Sequence, residues 1–160
     1  MATADSGEVV LLDANNNYNP VYDNGEIFKV PSGFGYIVNF DWDSGTRFIQ
    51  ATTSQNKYIF LEFSDEIKLV TEIKKVQSLD WPAITCKFGF SVQGVYMGST
   101  DPKFISSVCK AHTKKVVCSG DDDKFLNLYN FPCISETPKV KSFKGHAGHI
   151  RRIIFIFRSE

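Results

Sequence analysis

FISSVCKAHTKKVVCSGDDDKFLNLYNF, residues Phe104 to Phe131, repeats the pattern of YIVNFDWDSGTRFIQATTSQNKYIFLEF, residues Tyr36 to Phe63, about 67 residues earlier. In each copy a strand-like run is followed by a polar turn, a second apolar run, another polar turn and an alternating run. A repeated three-strand meander predicts a repeat architecture, and repeat proteins commonly bind partners rather than catalyse reactions. The copies align, with a one-residue shift before the last three pairs, at Ile37 and Ile105, Phe40 and Val108, Phe48 and Val116, Ile49 and Val117, Lys57 and Lys124, Tyr58 and Phe125, and Leu61 and Leu128.

Strand signals also dominate outside the two copies. One segment, Asp65 to Gln77, carries apolar residues at helical spacing, but the repeat favours a fourth strand there. The predicted strands are Glu8 to Asp13, Glu26 to Val30, Tyr36 to Asp41, Phe48 to Thr53, Tyr58 to Phe63, Ile67 to Glu72, Phe88 to Gln93, Phe104 to Cys109, Lys115 to Ser119, Phe125 to Tyr129, Val140 to Phe143 and Ile150 to Phe157.

Short strands in meanders of four, at about 40–45 residues per unit, are typical of β-propeller blades. We therefore predict an all-β fold built from four-stranded antiparallel blades. A closed propeller has about four to eight blades, more than 160 residues can supply. The sequence thus predicts one partial propeller region over residues 1–160, with blades at 7–30 (partial), 36–76, 88–143 and 146–160 (truncated). Two interpretations follow: the chain is a piece of a longer protein, or it assembles with copies of itself through open blade edges.

Composition excludes several functional classes. The 18 basic residues are balanced by 18 acidic ones, so charge does not predict binding to nucleic acid or to an anionic membrane. The sequence contains no apolar run long enough to span a bilayer and begins without a signal-peptide pattern. These features predict an intracellular, cytoplasmic protein.

The four cysteines, Cys86, Cys109, Cys118 and Cys133, show no C-x-x-C spacing. Buried structural thiols are the favoured interpretation, ahead of a disulfide or metal ligation. An enzymatic alternative pairs Cys109 or Cys118 with His112, as nucleophile and base of a thiol hydrolase. The sequence offers no exposed nucleophile turn for it, and we predict no catalytic, cofactor-binding or metal-binding residues.

An ordered set of short motifs between Leu79 and Ile150 resembles the echinoderm microtubule-associated protein-like (EMAP-like) family of WD-repeat proteins. The resemblance extends back through the segment IVNFDW, Ile37 to Trp42. The motifs are Asp80-Trp81, Thr85-Cys86, Gly89-Phe90, Val92-Gln93-Gly94, Phe131-Pro132-Cys133 and Gly145-His146.

This resemblance implies a place within the second of two tandem propellers, and a non-catalytic scaffold that binds tubulin or other cytoskeletal partners through propeller surfaces. A general WD-repeat adaptor without tubulin affinity is the alternative among binding proteins. The family's main microtubule-binding parts, a coiled coil with a basic region and a hydrophobic motif in the first propeller, have no counterpart in the sequence. The implied location is the cytoskeleton.

The resemblance also assigns structural roles within a blade. The histidine of a Gly-His pair hydrogen-bonds inside its blade, and an Asp in the turn between the second and third strands anchors it. The acidic run Asp121 to Asp123 falls on such a turn. Its carboxylates could bind a hard cation, but a structural role in the turn is favoured and the spacing does not fit an EF-hand loop. The predicted structural residues are Asp80, Trp81, Asp122, Gly145 and His146.

Three lysines, Lys110, Lys114 and Lys115, surround the predicted hairpin turn that contains His112. They can form a solvated hairpin face, or a basic patch suited to the acidic surface of a microtubule. Both interpretations stay open at the level of the sequence, and the three lysines are the candidate partner-binding residues.

Overall fold

Two four-stranded antiparallel sheets with the same strand order form the main elements of the computed structural model, which describes residues 1–22, 27–97 and 105–156. The chain divides into two units, Met1–Asp80 and Trp81–Glu160, and each contains one of these sheets. The fold is all-β with blade-like sheets, as predicted. Its assignment to blades of one propeller region stays a prediction.

The first unit contains three sheets. A three-stranded sheet has the order β1-β2-β5, a two-stranded sheet pairs β3 with β4, and the four-stranded sheet has the order β6-β7-β8-β9. The strands are β1 (Ala2–Thr3), β2 (Glu8–Val10), β3 (Leu12–Asp13), β4 (Asn19–Pro20), β5 (Phe28–Lys29), β6 (Ile37–Trp42), β7 (Phe48–Thr53), β8 (Tyr58–Phe63) and β9 (Ile67–Leu69), followed by a 3-10 helix (Ile73–Lys75).

The second unit begins with a 3-10 helix (Phe90–Val92) and a single helical turn, α1 (Gly94–Met97). Its four-stranded sheet has the order β10-β11-β12-β13. The strands are β10 (Ile105–Lys110), β11 (Val116–Asp121), β12 (Phe125–Asn130) and β13 (Val140–Lys144).

The first three strands of the two sheets correspond with a constant spacing of 68 positions, for example Ile37 with Ile105. Even the β-bulge in the first strand recurs, at Val38 and at Ser106. The one-residue shift in the sequence alignment is therefore wrong, because Leu61 corresponds to Tyr129 and not to Leu128.

Lys57 and Lys124 are identical in type but lie at different positions of their turns, so they do not correspond. Lys124 has a φ of 71° and corresponds to Asn56, which has a φ of 55°. Asn tolerates this left-handed conformation better than Lys does, so sequence similarity at this turn was misleading.

Alternation of apolar residues builds the core of the first unit. β7 and β8 are the central strands, and nearly all their residues are buried. Trp42 packs on Phe63 with ring centroids 5.0 Å apart. The buried cluster consists of Val9, Val30, Ile37, Ile49, Ala51, Ile59, Leu61 and Phe63.

Most predicted strands are confirmed within one or two residues, and four need correction. Glu8 to Asp13 is split into β2 and β3, which pair with different strands. The strand predicted at Ile67 to Glu72 ends at Leu69, and the helix considered for Asp65 to Gln77 is reduced to one 3-10 turn. Glu26, Phe104 and Phe157, at the ends of other predicted strands, lie outside the described residues.

The predicted strand Phe88 to Gln93 is wrong, because this segment forms the 3-10 helix that leads into α1. A short apolar run fits a buried strand and a buried helical turn equally well. Here the backbone of the segment forms hydrogen bonds with the loop around Cys133, and not with a neighbouring strand. Gly94 N donates to Cys133 O at 2.7 Å, and Cys133 N donates to Ser91 O at 2.8 Å.

Residues 150–156 of the predicted strand Ile150 to Phe157 are not in a strand either. The segment is held through side chains: Ile153 N donates to Ser107 Oγ at 3.1 Å, and Ser106 Oγ donates to Ile150 O. Ile150 N also donates to Asp121 O at 3.1 Å. These serine hydroxyls, at and beside the β-bulge of β10, take the place of a regular backbone ladder.

Candidate functional site

The turn between β10 and β11 is the candidate partner-binding surface. Its ends are joined by a hydrogen bond from Ala111 N to Val116 O at 3.0 Å, and Val116 N donates to Lys114 O at 2.8 Å. Phe131 N, at the end of β12, donates to Lys115 O at 2.9 Å. The backbone that carries the basic residues is therefore fixed from both sides.

The side chain of Lys110 contacts two other residues of the second unit. Its Nζ donates to Trp81 O at 2.9 Å and lies 4.8 Å from the centroid of the Phe131 ring. A carbonyl acceptor and an aromatic face both stabilise an ammonium group. Lys110 thus joins the β10 end to the chain at Trp81.

Lys114 and Lys115, in contrast, are exposed, as is His112 on the same turn. The structure therefore separates the three predicted lysines into one that holds the fold together and two whose charges face solvent. Two adjacent cations on a backbone-fixed turn can contact an acidic surface without ordering a flexible loop first.

The residues predicted to play structural roles are in different environments. Trp81 is buried, whereas Asp80 is exposed and its backbone oxygen accepts a hydrogen bond from Ser44 N at 2.9 Å. Gly145 and His146 are exposed on the segment after β13. The roles assigned to Asp80, Trp81, Gly145 and His146 stay predictions.

The three carboxylates of the acidic run, which begins at the last residue of β11, make different contacts. Asp121 caps the turn, since its Oδ1 accepts a hydrogen bond from Phe125 N at 2.8 Å. Asp122 Oδ1 lies 3.3 Å from His149 Nδ1, and Asp123 is exposed. Sequence reasoning singled out Asp122 and missed Asp121, and the anchoring role of Asp122 stays a prediction. The 68-residue spacing places Asp121 at the position of Thr53, whose Oγ1 accepts a hydrogen bond from Lys57 N at 3.2 Å. This correspondence is the signal that identifies Asp121 as the residue that closes the turn.

The thiols proposed for the enzymatic alternative lie inside the second unit, and that of Cys118 is a poor nucleophile. All four cysteines are buried, which confirms that prediction. Cys109 and Cys118 are cross-strand neighbours in β10 and β11. Burial, with Cys109 nearby as the smaller cause, raises the pKa of Cys118 to about 12. At neutral pH this thiol is protonated, and the thiol form is not the nucleophile.

Among residues 1–22, 27–97 and 105–156, no three His, Cys, Asp or Glu side chains are grouped so that they could hold a metal ion. None of the helices in that part of the chain is long and apolar enough to cross a membrane.

Comparison with known proteins identifies relatives along nearly the whole chain, although no family model matches it. Echinoderm microtubule-associated protein-like 1 of Mus musculus is 25% identical over 163 residues, covering 98% of this chain. The resemblance to EMAP-like proteins is confirmed. Echinoderm microtubule-associated protein-like 3 of Mus musculus is 26% identical over 75% of the chain, and the like-4 protein of Xenopus laevis is 22% identical over 93%.

The chain spans only a small part of these EMAP-like proteins. It matches 20% of the length of the like-1 protein, 13% of the like-3 protein and 17% of the like-4 protein. The similarity therefore concerns a limited segment of these longer proteins.

Proposed function

We propose that the chain is a non-catalytic WD-repeat interaction module that binds tubulin or other cytoskeletal proteins through the surfaces of its sheets. The observation that carries this proposal is its similarity, over 75–98% of its length, to proteins named as microtubule-associated. The proposed location is the cytoskeleton of the cytoplasm. Neither a nucleic acid nor a membrane is a proposed partner.

The turn between β10 and β11, residues 111–115, is the basic turn. It supports the proposal and supplies the candidate contact. Lys114 and Lys115 present two charges on a fixed backbone, while Lys110 is held by Trp81 and Phe131. Since the acidic surface of a microtubule attracts exposed cations, Lys114 and Lys115 are the proposed contact residues and Lys110 positions the end of the strand.

Co-sedimentation of the purified chain with assembled microtubules tests the proposal. We expect the chain to pellet with microtubules, and K114E/K115E to bind at least about tenfold more weakly, because four units of charge are changed at the contact. The matched control is K57E/K74E, which changes the charge equally at exposed positions in the first unit. Equal pelleting of both variants would exclude the basic turn as the contact.

The general adaptor is the competing function within binding proteins. It predicts that the wild-type chain stays in the supernatant at every microtubule concentration, although it folds. That result would remove tubulin from the proposal and leave a WD-repeat module for other proteins. The thiol hydrolase is not supported, because Cys109 and Cys118 are both buried and burial raises the pKa of the Cys118 thiol.

A further inference from the structure

Strand β13 is an open sheet edge. It pairs with β12 on one side, and in the described part of the chain no strand pairs with its other side. All five of its residues, Val140–Lys144, are exposed. An edge strand of this kind presents backbone N–H and C=O groups to which another extended segment can add.

The same edge is strongly basic. Lys139, Lys141 and Lys144 lie on it or next to it, and the sequence has no Asp or Glu between Glu136 and Glu160. Within residues 105–156 as described, no ion pair involves any of these three lysines. Lys144 Nζ lies 5.1 Å from the centroid of the Phe125 ring, a contact that leaves its charge unneutralised. The positive charge of the edge is therefore available to a partner.

Apolar groups accompany the charges. Val140 is 51% exposed and Phe143 is 45% exposed, and Lys141 Nζ lies 5.3 Å from the centroid of the Phe143 ring. A surface concavity of about 240 Å³ lies at the start of the strand, lined by residues that include Tyr129, Lys139 and Val140. The edge thus offers side-chain contacts as well as backbone groups.

The corresponding edge of the first sheet lacks these properties. β9 has three residues, and its Ile67 packs against the core cluster of the first unit. The neighbouring charges neutralise each other, since Lys68 Nζ lies 2.8 Å from Glu66 Oε1. The basic open edge is specific to the second sheet.

We propose that β13 binds an extended acidic peptide segment of a partner protein by strand addition. Charge decides the occupant. Lysines that face each other across two copies of β13 would repel, whereas Glu or Asp side chains of an added strand would pair with them. This inference deepens the proposed interaction role by naming a second surface and the chemistry of its partner, and it holds whether or not the partner is tubulin.

Fluorescence anisotropy with synthetic peptides tests the proposal on the 160-residue chain. The probe is a fluorescein-labelled octapeptide of alternating Glu and Thr, and its comparison is the Lys-Thr octapeptide. We expect saturable binding of the acidic peptide only, and at least about tenfold weaker binding by K139E/K141E/K144E. The charge-matched control variant K57E/K74E/K75E changes three exposed lysines of the first unit and should bind within about twofold of wild type. Since neither variant changes Lys114 or Lys115, failure of K114E/K115E in microtubule pelleting is separated from failure of strand addition.

Backbone pairing is tested on the wild-type chain, so that it does not depend on the folding of a variant. Two analogues of the acidic peptide carry N-methyl groups on alternate residues. One is methylated at the odd positions and the other at the even positions, so that each removes the N–H donors of one side of the strand. Strand addition requires that at least one analogue lose binding about tenfold or more, because its inward N–H donors are removed. Binding of both analogues within about twofold of the unmodified peptide, no saturable binding of the acidic peptide, or equal binding of the lysine peptide would each overturn the proposal.

Discussion

Thr53 and Asp121 perform the same task in the two sheets. Oγ1 of Thr53 accepts a hydrogen bond from Lys57 N at 3.2 Å, and Oδ1 of Asp121 accepts one from Phe125 N at 2.8 Å. Both acceptors end the second strand of their sheet, and both donors lie four positions later. A hydroxyl and a carboxylate thus close equivalent turns, and the shorter bond is the one to the charged group.

Removing the Asp121 carboxylate should cost more stability than removing the Thr53 hydroxyl. Asp121 Oδ2 also accepts a hydrogen bond from Asn127 Nδ2 at 3.1 Å. We expect D121A to lower the free energy of unfolding by about 2 kcal/mol and T53V by about 1 kcal/mol. Urea unfolding followed by circular dichroism measures both, and exposed Asp123 gives the control D123A, with a change below about 0.5 kcal/mol. Equal losses for D121A and D123A would contradict the assignment of Asp121 as the cap.

Gly120 should not tolerate a side chain, although its backbone is ordinary. A Cβ at this position would come within 2.4 Å of Ile150 Cγ2 and 2.9 Å of Ile153 Cδ1. We expect G120A to destabilise the chain by about 1–3 kcal/mol and to displace the segment that holds these isoleucines. Faster amide hydrogen exchange at residues 150–153 is the specific readout. Gly145, where a Cβ would meet nothing within 4 Å, provides the control G145A.

Cys118 should resist alkylation in the native protein. Burial raises the pKa of its thiol to about 12, so iodoacetamide at pH 8 should label it far more slowly than in urea. Peptide mass mapping measures the rate at each cysteine. If Cys118 in the native protein were labelled as fast as in urea, the result would contradict its burial and support the hydrolase alternative.

The same thiol makes stability depend on pH in the alkaline range. The unfolded thiol ionises near pH ~8.5, whereas the folded one keeps its proton until about pH 12, so the unfolded state binds fewer protons in between. The stabilisation is fully present below the unfolded pKa and is lost as pH rises above it. The urea midpoint should therefore fall above about pH 9, and C118A should show a shallower fall.

Ile154 and Ile156 should promote self-association, since 62% and 89% of their surfaces are exposed. Exposed apolar side chains on an extended segment favour contact with another copy. Light scattering on a sizing column should show a mass that increases with concentration for wild type and a monomer for I154K/I156K. The control V21K/I134K replaces two separate exposed apolar residues and should behave as wild type. A wild-type monomer at all concentrations would exclude this route to homo-oligomers.

Local patterns were sufficient to predict the regular part of the fold. β7 and β8 match the predicted Phe48 to Thr53 and Tyr58 to Phe63, because alternation and flanking turn residues are encoded locally. Strand predictions from short apolar runs were wrong where long-range hydrogen bonds decide the conformation, as at Phe90–Val92 and residues 150–156. The basic turn was found from spacing, but only the position of Trp81 O separates Lys110 from Lys114 and Lys115.

By itself the sequence determined that this is a repeated strand meander that resembles EMAP-like proteins, because strand periodicity and ordered motifs are properties of neighbouring residues. The tertiary structure decided the register, the cap at Asp121, the close packing of Ile150 on Gly120 and the exposure of β13. Each of these depends on which distant segments meet. Contacts of that kind are set by packing and by the need to pair buried polar groups, and a local pattern does not specify them.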